Sequence, residues 1–211
     1  MKLDRDTLFH YIGISTLICQ TNFLNKNSTA IDIGIGKNLH NTIEYTKLFK
    51  TVYAVDAHKD SYGKMLREIQ KHQLKNLKPY HYFLSNTQET VQFHCSDENI
   101  GYSSQHFDMI KAAGKHLLPN WSTIEMQSTT LDDVFFDKIE DLAFIKIDAE
   151  NSDVAIIRGA DKLIQKWRPV IQFEHWNDEV NFTRYFCKKF KYRFFPNNQI
   201  SSYILLPKGN I

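Results

Sequence analysis

The sequence is poor in the residues that define several classes of protein. It has only three cysteines in 211 residues, and they are isolated rather than paired as CxxC. This excludes a disulfide-built scaffold and a cysteine-rich zinc site, and it favours idle thiols in a reducing compartment. Proline and glycine are also too few for a low-complexity chain. A net charge of +2 leaves no dominant footprint for nucleic acid or a membrane surface.

A long apolar run is also missing. Polar side chains interrupt the most apolar early stretch, residues 11–24, and it is shorter than the roughly 20 residues of a membrane helix. We expect packed helices there, within an N-terminal helical segment spanning residues 1–29. The first residues alternate in charge and no small-residue cleavage site follows, so a secretory signal is not expected. The chain is therefore predicted to be cytoplasmic, without a membrane partner.

What the sequence does contain is an alternation of apolar, strand-like runs with helix-like segments. The strand-like runs are residues 30–35, 51–57, 80–84, 91–95, 142–147, 170–173, 192–195 and 203–206. Such alternation predicts a doubly wound α/β domain with a mostly parallel sheet. The last two runs flank a PNNQ turn and predict an antiparallel C-terminal strand pair. The whole chain, 1–211, is expected to form a single domain.

Two segments between the strands have characters of their own. Apolar residues at helical spacing predict one helix from Val154 to Trp167, with Ser152 as its N-cap and Pro169 preventing its continuation. Residues 96–127 contain glycine, proline and serine with weak periodicity. A segment of that length is typical of a functional lid, or of an insertion with its own short helix.

The first candidate for chemistry is the loop Asp32–Gly36, which directly follows a strand. Its glycines permit a sharp turn and let a ligand approach the backbone at the end of a central strand. Asp56 ends the next strand, where a carboxylate can accept hydrogen bonds from the ribose hydroxyls of an adenosine. Together these features predict a nucleoside site. The alternative is a plain tight turn, with Asp56 capping a helix.

Charge distinguishes the two nucleoside cofactors that suit such a sheet. A dinucleotide fingerprint requires a third glycine where this chain has Leu39. Asp32 would repel a pyrophosphate but would favour the sulfonium and ammonium groups of S-adenosylmethionine. S-adenosyl-L-methionine is therefore the predicted cofactor, and an NAD-dependent oxidoreductase is the alternative.

Charged residues also end the later strands. Lys146, Asp148 and Glu150 alternate at the end of one apolar run, and Glu174 and His175 end the next. Ligands of open α/β sheets bind outside such strand ends, and a carboxylate or histidine there can act as a general base. The structural alternatives are an ion pair of Lys146 with a neighbouring carboxylate and a histidine that only supports the fold.

Two other patterns predict no site. Basic and aromatic residues interleave over residues 185–195, but they also fit an amphipathic helix with solvated lysines, so nucleic-acid binding is not expected. The histidines form no HxH or HExxH spacing, so no metal site is predicted from them.

The chain resembles the FkbM family of S-adenosylmethionine-dependent methyltransferases. The resemblance is carried by TLDD (Thr130–Asp133), FIKIDAENSDVAIIRGADKLI (Phe144–Ile164) and RPVIQFE (Arg168–Glu174), in order over about 45 positions. The Asp32–Gly36 loop, Asp56 and an LSN turn extend it over most of the chain. One departure is that Asn151 and Ser152 follow Glu150 where the family has glycine.

The resemblance implies a seven-stranded, Rossmann-like class I methyltransferase fold and assigns roles to individual residues. Cofactor contacts are implied for Asp32, Gly34, Gly36, Asp56, Ala57, Ser85, Asn86 and Asp148. In that assignment the glycine loop lines the methionine end, Asp56 holds the ribose, and Ser85 lies near the adenine. Asp148 lies below the methyl group that is transferred.

The predicted reaction is O-methylation of a small-molecule acceptor, a carbohydrate or another metabolite with a hydroxyl group. The methyl group would be transferred in line, with positioning as a main source of rate. The catalytic candidates are Asp148, Lys146, Glu150, Glu174 and His175, with a base drawn from the acidic residues or His175. Tyr102 and Trp121 are candidate acceptor contacts in residues 96–127. Besides the oxidoreductase, the sequence leaves open a catalytically degenerate cofactor-binding module and an RNA-binding methyltransferase.

Overall fold

A computed structural model describes residues 27–37, 39–98, 100–112, 114, 120–174, 179–197 and 202–208. Nearly all of the predicted N-terminal helical segment, together with His175, lies outside these residues. The described strands are, in chain order, β1 (Thr29–Ile33), β2 (Thr51–Asp56), β3 (Leu77–His81), β4 (Phe83–Leu84), β5 (Thr90–Cys95), β6 (Ser122–Thr129), β7 (Leu142–Ile147), β8 (Val170–Glu174), β9 (Tyr192–Asn197) and β10 (Ser202–Pro207).

Seven of these strands form the central sheet in the order β3-β2-β1-β7-β8-β10-β9. The pairs from β3 through β8 are parallel, whereas β10 runs antiparallel to both of its neighbours. The predicted mostly parallel, seven-stranded sheet with an antiparallel C-terminal pair is confirmed. Because β1 and β7 are adjacent, residues more than 100 positions apart meet at the carboxyl edge of the sheet.

Helices cover both faces of this sheet, as successive side chains on the central strands require. The helices are α1 (His40–Leu48), α2 (Lys59–His72), α3 (Phe107–Ala112), α4 (Leu131–Phe135), α5 (Asp153–Arg158), α6 (Asp161–Trp167) and α7 (Glu179–Phe190). Ile31 and Ile145 pack into one buried cluster, while Ala30 and Phe144 pack into another on the opposite face. A strand that is buried on both faces is a continuous apolar run in the sequence, so the central strands could be predicted from such runs.

The segment between β3 and β7 forms a second, three-stranded sheet in the order β4-β6-β5. The apolar run expected over residues 80–84 is divided between β3 and β4. The short helix predicted for the insertion is α3, but β6 lies in a stretch where no strand was expected. Most side chains of β6 are exposed, so this strand lacks the apolar signal of a buried one.

The single helix expected up to Trp167 is instead two helices, α5 and α6, separated at Gly159 and Ala160. A Cβ atom on Gly159 would lie 2.3 Å from the carbonyl oxygen of Ser85, so the backbone there packs against the loop after β4. Ser152 occupies the predicted N-cap position, but its side chain makes no capping hydrogen bond. Periodicity alone does not reveal such a break because both helices share one apolar face.

The basic and aromatic tail forms the predicted amphipathic helix, α7. Phe182, Phe186 and Phe190 are buried against the sheet, whereas Tyr185 and Lys188 are exposed. Packing therefore accounts for the three phenylalanines of α7, but not for Tyr185. In the part of the chain that the structure describes, no helix has both the length and the hydropathy needed to cross a bilayer.

Candidate active site

A cavity opens at the carboxyl ends of β1, β2 and β7, where an open α/β sheet binds its ligands. The space between its walls is about 750 Å³, a figure that includes open solvent, so the cavity is a cleft that a ligand can enter. The residues that line it include Gly34, Gly36, Asp56, Ala57, Asp148 and Glu150. Five of these six were predicted as cofactor contacts, and Glu150 was predicted as a catalytic residue.

The glycine loop can adopt its conformation only with glycine at residue 34. Gly34 has a φ of +75°, and a Cβ atom there would lie 1.7 Å from the carbonyl oxygen of Asp148. The amide of Gly34 donates to the carbonyl of Val55 at 3.0 Å, so the loop is also fixed to β2. The absence of a side chain brings the ends of β1 and β7 into contact beside the cavity.

Asp56 lines the cavity and also holds the glycine loop in place. Its Oδ2 accepts hydrogen bonds from the backbone amides of Ile35 and Gly36, at 2.9 and 3.0 Å, and its Oδ1 accepts from the amide of His58 at 2.7 Å. Burial raises the pKa of this carboxyl, and the three amides oppose that rise. The structural role considered for Asp56 is therefore present, and its place in the cavity wall is compatible with the predicted ribose contact.

Asp32 is not where the sequence placed it. It is 1% exposed and is not among the residues that line the cavity, so the structure gives no support to a direct contact with the methionine end. Its Oδ2 accepts a hydrogen bond from Thr42 at 2.7 Å, and its Oδ1 lies 3.8 Å from Nζ of Lys146. Alternation along β1 turns this side chain toward α1, beneath the glycine loop. Burial raises its pKa, against the opposing effects of Lys146 and Thr42.

Lys146 joins the buried layer to the cavity. Its Nζ lies 3.2 Å from Oδ2 of Asp148 and donates to the carbonyl of Gly34 at 3.1 Å. Burial acts to lower the pKa of Lys146, but the charges of Asp148 and Asp32 outweigh it, and the pKa is raised. The ion pair considered as the structural alternative is present, and it positions Asp148, which does line the cavity.

Three carboxylates meet on the other side of the cavity. One oxygen each of Asp148, Glu150 and Glu174 lie within 4.8 Å of one another. Burial, with the charges of Asp148 and Asp153, raises the pKa of Glu150 to about 8. Asn151 stands in the left-handed region with a φ of +74°, so the turn keeps its geometry without the glycine usual in the family.

Asp153 lies beside the carboxylates and was not among the site residues predicted from the sequence. Its side chain is buried, and it accepts hydrogen bonds from the amides of Ala149 and Glu174, at 3.2 and 3.1 Å. Burial and the charge of Asp148 raise its pKa to about 7. Asp153 thus ties the loop after β7 to the end of β8. Its place three residues after Glu150 within the motif was the available signal.

The far wall of the cavity differs from the one expected. Ser85 and Asn86 are not among the lining residues; Tyr82, Phe83, Leu84 and Phe93 stand there instead. The candidate acceptor contacts Tyr102 and Trp121 do not line the cavity either. The insertion contributes Ile100, Gly101, Ser103 and Ser104. Ser104 donates to the carbonyl of Glu150 at 2.7 Å, which fixes the insertion to the loop after β7.

Comparison with known proteins places this geometry in a family. A model of the FkbM methyltransferase domain matches residues 32–194. The chain resembles the N-terminal domain of human METTL16 in complex with SAH, with a TM-score of 0.54 and 11% identity over 97% of this chain and 70% of that one. It also resembles precorrin-6y C5,15-methyltransferase from Geobacter metallireducens GS-15, with a TM-score of 0.46 and 13% identity over 90% and 86%. Comparison with curated protein sequences gives no significant match.

The matched region contains the glycine loop, Asp56 and the three carboxylates, so it includes the whole cavity edge of the sheet. The resemblance drawn from the sequence motifs is confirmed, as are the predicted enzyme class and cofactor. The chain belongs to the FkbM family of methyltransferases, enzymes that use S-adenosylmethionine.

Proposed function

We propose that the protein methylates a hydroxyl oxygen of a small metabolite, with a carbohydrate as the leading acceptor class. One observation carries the proposal: a single cavity joins the glycine loop and Asp56 on one side to Asp148 and Glu150 on the other. The nucleoside-type site and the proton acceptors therefore share one cavity.

The chain's own residues fit S-adenosylmethionine, which supplies the methyl group on a sulfonium. Gly34 leaves the backbone accessible, and Asp56 lines the cavity at the end of β2, where a carboxylate can accept a hydrogen bond from a ribose hydroxyl. Asp148 places a carboxylate in the cavity, which suits a sulfonium and disfavours a pyrophosphate. This charge supports the methyltransferase over the NAD-dependent alternative, although it comes from Asp148 and not from Asp32.

On the acceptor side, the carboxylates would hold the hydroxyl and receive its proton. Asp148, Glu150 and Glu174 can each accept a hydrogen bond from a hydroxyl group, and a polyol such as a sugar offers several. A base is most effective when its pKa is near the working pH, and the pKa of Glu150 is about 8. The hydroxyl proton would pass to one of these carboxylates as the new O–CH₃ bond forms.

The proposal is tested with Asp148→Asn, which removes a charge from the cavity and keeps the size of the side chain. We expect turnover of labelled methyl donor on a native metabolite extract to fall at least 100-fold, within the range of about 10²–10⁴ for a lost acid–base group. The circular dichroism spectrum should not change. Full activity of this variant would remove Asp148 from the mechanism.

The same assay addresses the degenerate binding module. Identification of the labelled product by mass spectrometry names the acceptor class, and label in a hydroxyl-bearing metabolite supports O-methylation. If the wild-type protein binds S-adenosylmethionine but labels no metabolite, the binding module is favoured instead. Label found only in RNA would also contradict the proposal.

A further inference from the structure

The three carboxylates form a cluster of like charges at one edge of the central sheet. Asp148, Glu150 and Glu174 come together from the ends of β7 and β8, each with one oxygen within 4.8 Å of the others. Asp153 adds a further carboxyl to the same loop. Lys146 lies against Asp148 at 3.2 Å and can balance one of these charges. Like charges this close repel one another unless protons or a cation compensate them.

A second feature, on another strand, points to the same place. Ser202 begins β10 opposite Glu174 and is 2% exposed. Its Oγ has no hydrogen-bond partner among the described residues. Ser202 lines a small cavity together with Lys146, Asp148 and Glu174. A buried hydroxyl without a partner is destabilising, so a ligand for it is expected.

We propose that Asp148, Glu150 and Glu174 bind a divalent cation, with Ser202 as a further oxygen donor. Carboxylate and hydroxyl oxygens are the donors preferred by Ca²⁺, Mg²⁺ and Mn²⁺, whereas zinc and copper sites are built mainly on histidine or cysteine ligands, which this cluster lacks among the described residues. Ca²⁺, at about 2.3–2.6 Å from its ligands, spans oxygens up to about 5 Å apart, so it fits the observed spacing. Mg²⁺, at about 2.1 Å, requires the carboxylates to approach or water to complete its shell.

This cation explains why so many acidic groups share one end of the cavity. A carboxylate that binds a cation is stabilised in its charged form, so the repulsion within the cluster is relieved. A role for the cation in orienting and acidifying the acceptor hydroxyl rests on the proposed function. Binding of the cation does not, because all the donors belong to this chain.

The binding experiment uses the metal alone. The full chain is treated with a chelator, and Ca²⁺, Mg²⁺ and Mn²⁺ are titrated separately by isothermal calorimetry, with Mn²⁺ also followed by electron paramagnetic resonance. We expect one site per chain. Glu150→Gln and Glu174→Gln should each weaken binding at least tenfold, and Ser202→Ala should weaken it less. Asp137→Asn, which removes an exposed carboxylate outside the cluster, should leave the affinity unchanged.

Two results would overturn the cation site. One is no saturable binding of any of the three ions to a chain whose circular dichroism shows it to be folded. The other is binding that Glu150→Gln and Glu174→Gln leave intact. The two proposals can fail separately. If the ion binds in the absence of chelator, but methyl transfer continues when the chelator removes it, the site would stand and its catalytic role would fall.

Discussion

Gly34 and Asp148 meet where β1 and β7 end, and the contact is between backbone atoms. Because the carbonyl of Asp148 occupies the position of a Cβ atom, no side chain fits at residue 34. The positive φ of Gly34 adds a second reason, since other residues are strained there. The backbone of Asp148, a catalytic candidate, is thus positioned by a residue that has no side chain.

Gly34→Ala should therefore destabilise the protein strongly. We expect a loss of about 3 kcal/mol or more in the free energy of unfolding, from left-handed strain and from displacement of the Asp148 carbonyl. Urea unfolding measures it. Gly63→Ala is the matched control, because Gly63 lies within α2 with Nη1 of Arg67 as the nearest atom, at 3.5 Å. The control should stabilise the helix by about 0.5–1 kcal/mol. Equal midpoints for Gly34→Ala and wild type would contradict the argument.

The buried pair of Asp32 and Lys146 gives a second prediction for single residues. Lys146→Met leaves Asp32 buried without its counter-charge, so we expect a loss of about 3–5 kcal/mol in unfolding free energy. Adding Asp32→Asn should recover at least about 1 kcal/mol, because the uncompensated charge is gone. Urea unfolding of the two single variants and the double variant measures the coupling. Strictly additive losses would show that the two residues do not act as a pair.

At the scale of elements, the family motifs that carry no chemistry hold helices and strands together. Asp132, in TLDD, accepts hydrogen bonds from the amides of Lys162 and Leu163 at 2.8 and 2.9 Å, so it caps the start of α6 from a distant part of the chain. Arg168 donates to the carbonyls of Phe190 and Lys191, which fixes the end of α7. A strong motif match thus identifies residues for folding as well as for catalysis.

Asp132→Ala tests this distinction. Loss of the cap should cost about 1–2 kcal/mol in unfolding free energy, as for other N-caps. The affinity for S-adenosylmethionine, measured by calorimetry, should not change, because Asp132 does not line the cavity. Asp137→Ala removes a nearby exposed carboxylate and should be neutral. A variant that stays as stable as wild type but loses the methyl donor would show that TLDD belongs to the site.

The elements that the sequence predicted well are those whose burial produces a pattern. β1, β7 and β8 are buried on both faces and were found as apolar runs. β6 was not predicted because most of its side chains face solvent. Its main partner is β5, and that antiparallel pairing leaves no pattern within β6 itself. The break between α5 and α6 escaped because its cause, the packing of Gly159 against Ser85, is a tertiary contact.

For the whole molecule, topology decides how much of the site was predictable. Strand ends can be located in a sequence, and parallel strands bring them to one edge, so Asp56, Asp148 and Glu150 were correctly expected at a common cavity. The direction of a side chain depends on the pleat and on the helix above it. Asp32 therefore faces α1 and Lys146. The wall supplied by the second sheet and the insertion could not be deduced, because its position depends on contacts between the two sheets.

Binding of the methyl donor should stabilise the whole fold, because its cavity is built from both halves of the central sheet. At a ligand concentration of 100 times Kd, S-adenosylmethionine adds about 2.7 kcal/mol. For a chain of this size that raises the thermal midpoint by about 5–10 °C. NAD at the same concentration should leave the midpoint unchanged, since its pyrophosphate would meet the charge of Asp148. Scanning calorimetry with each ligand makes the comparison, and a shift with NAD alone would reverse the assignment of the cavity.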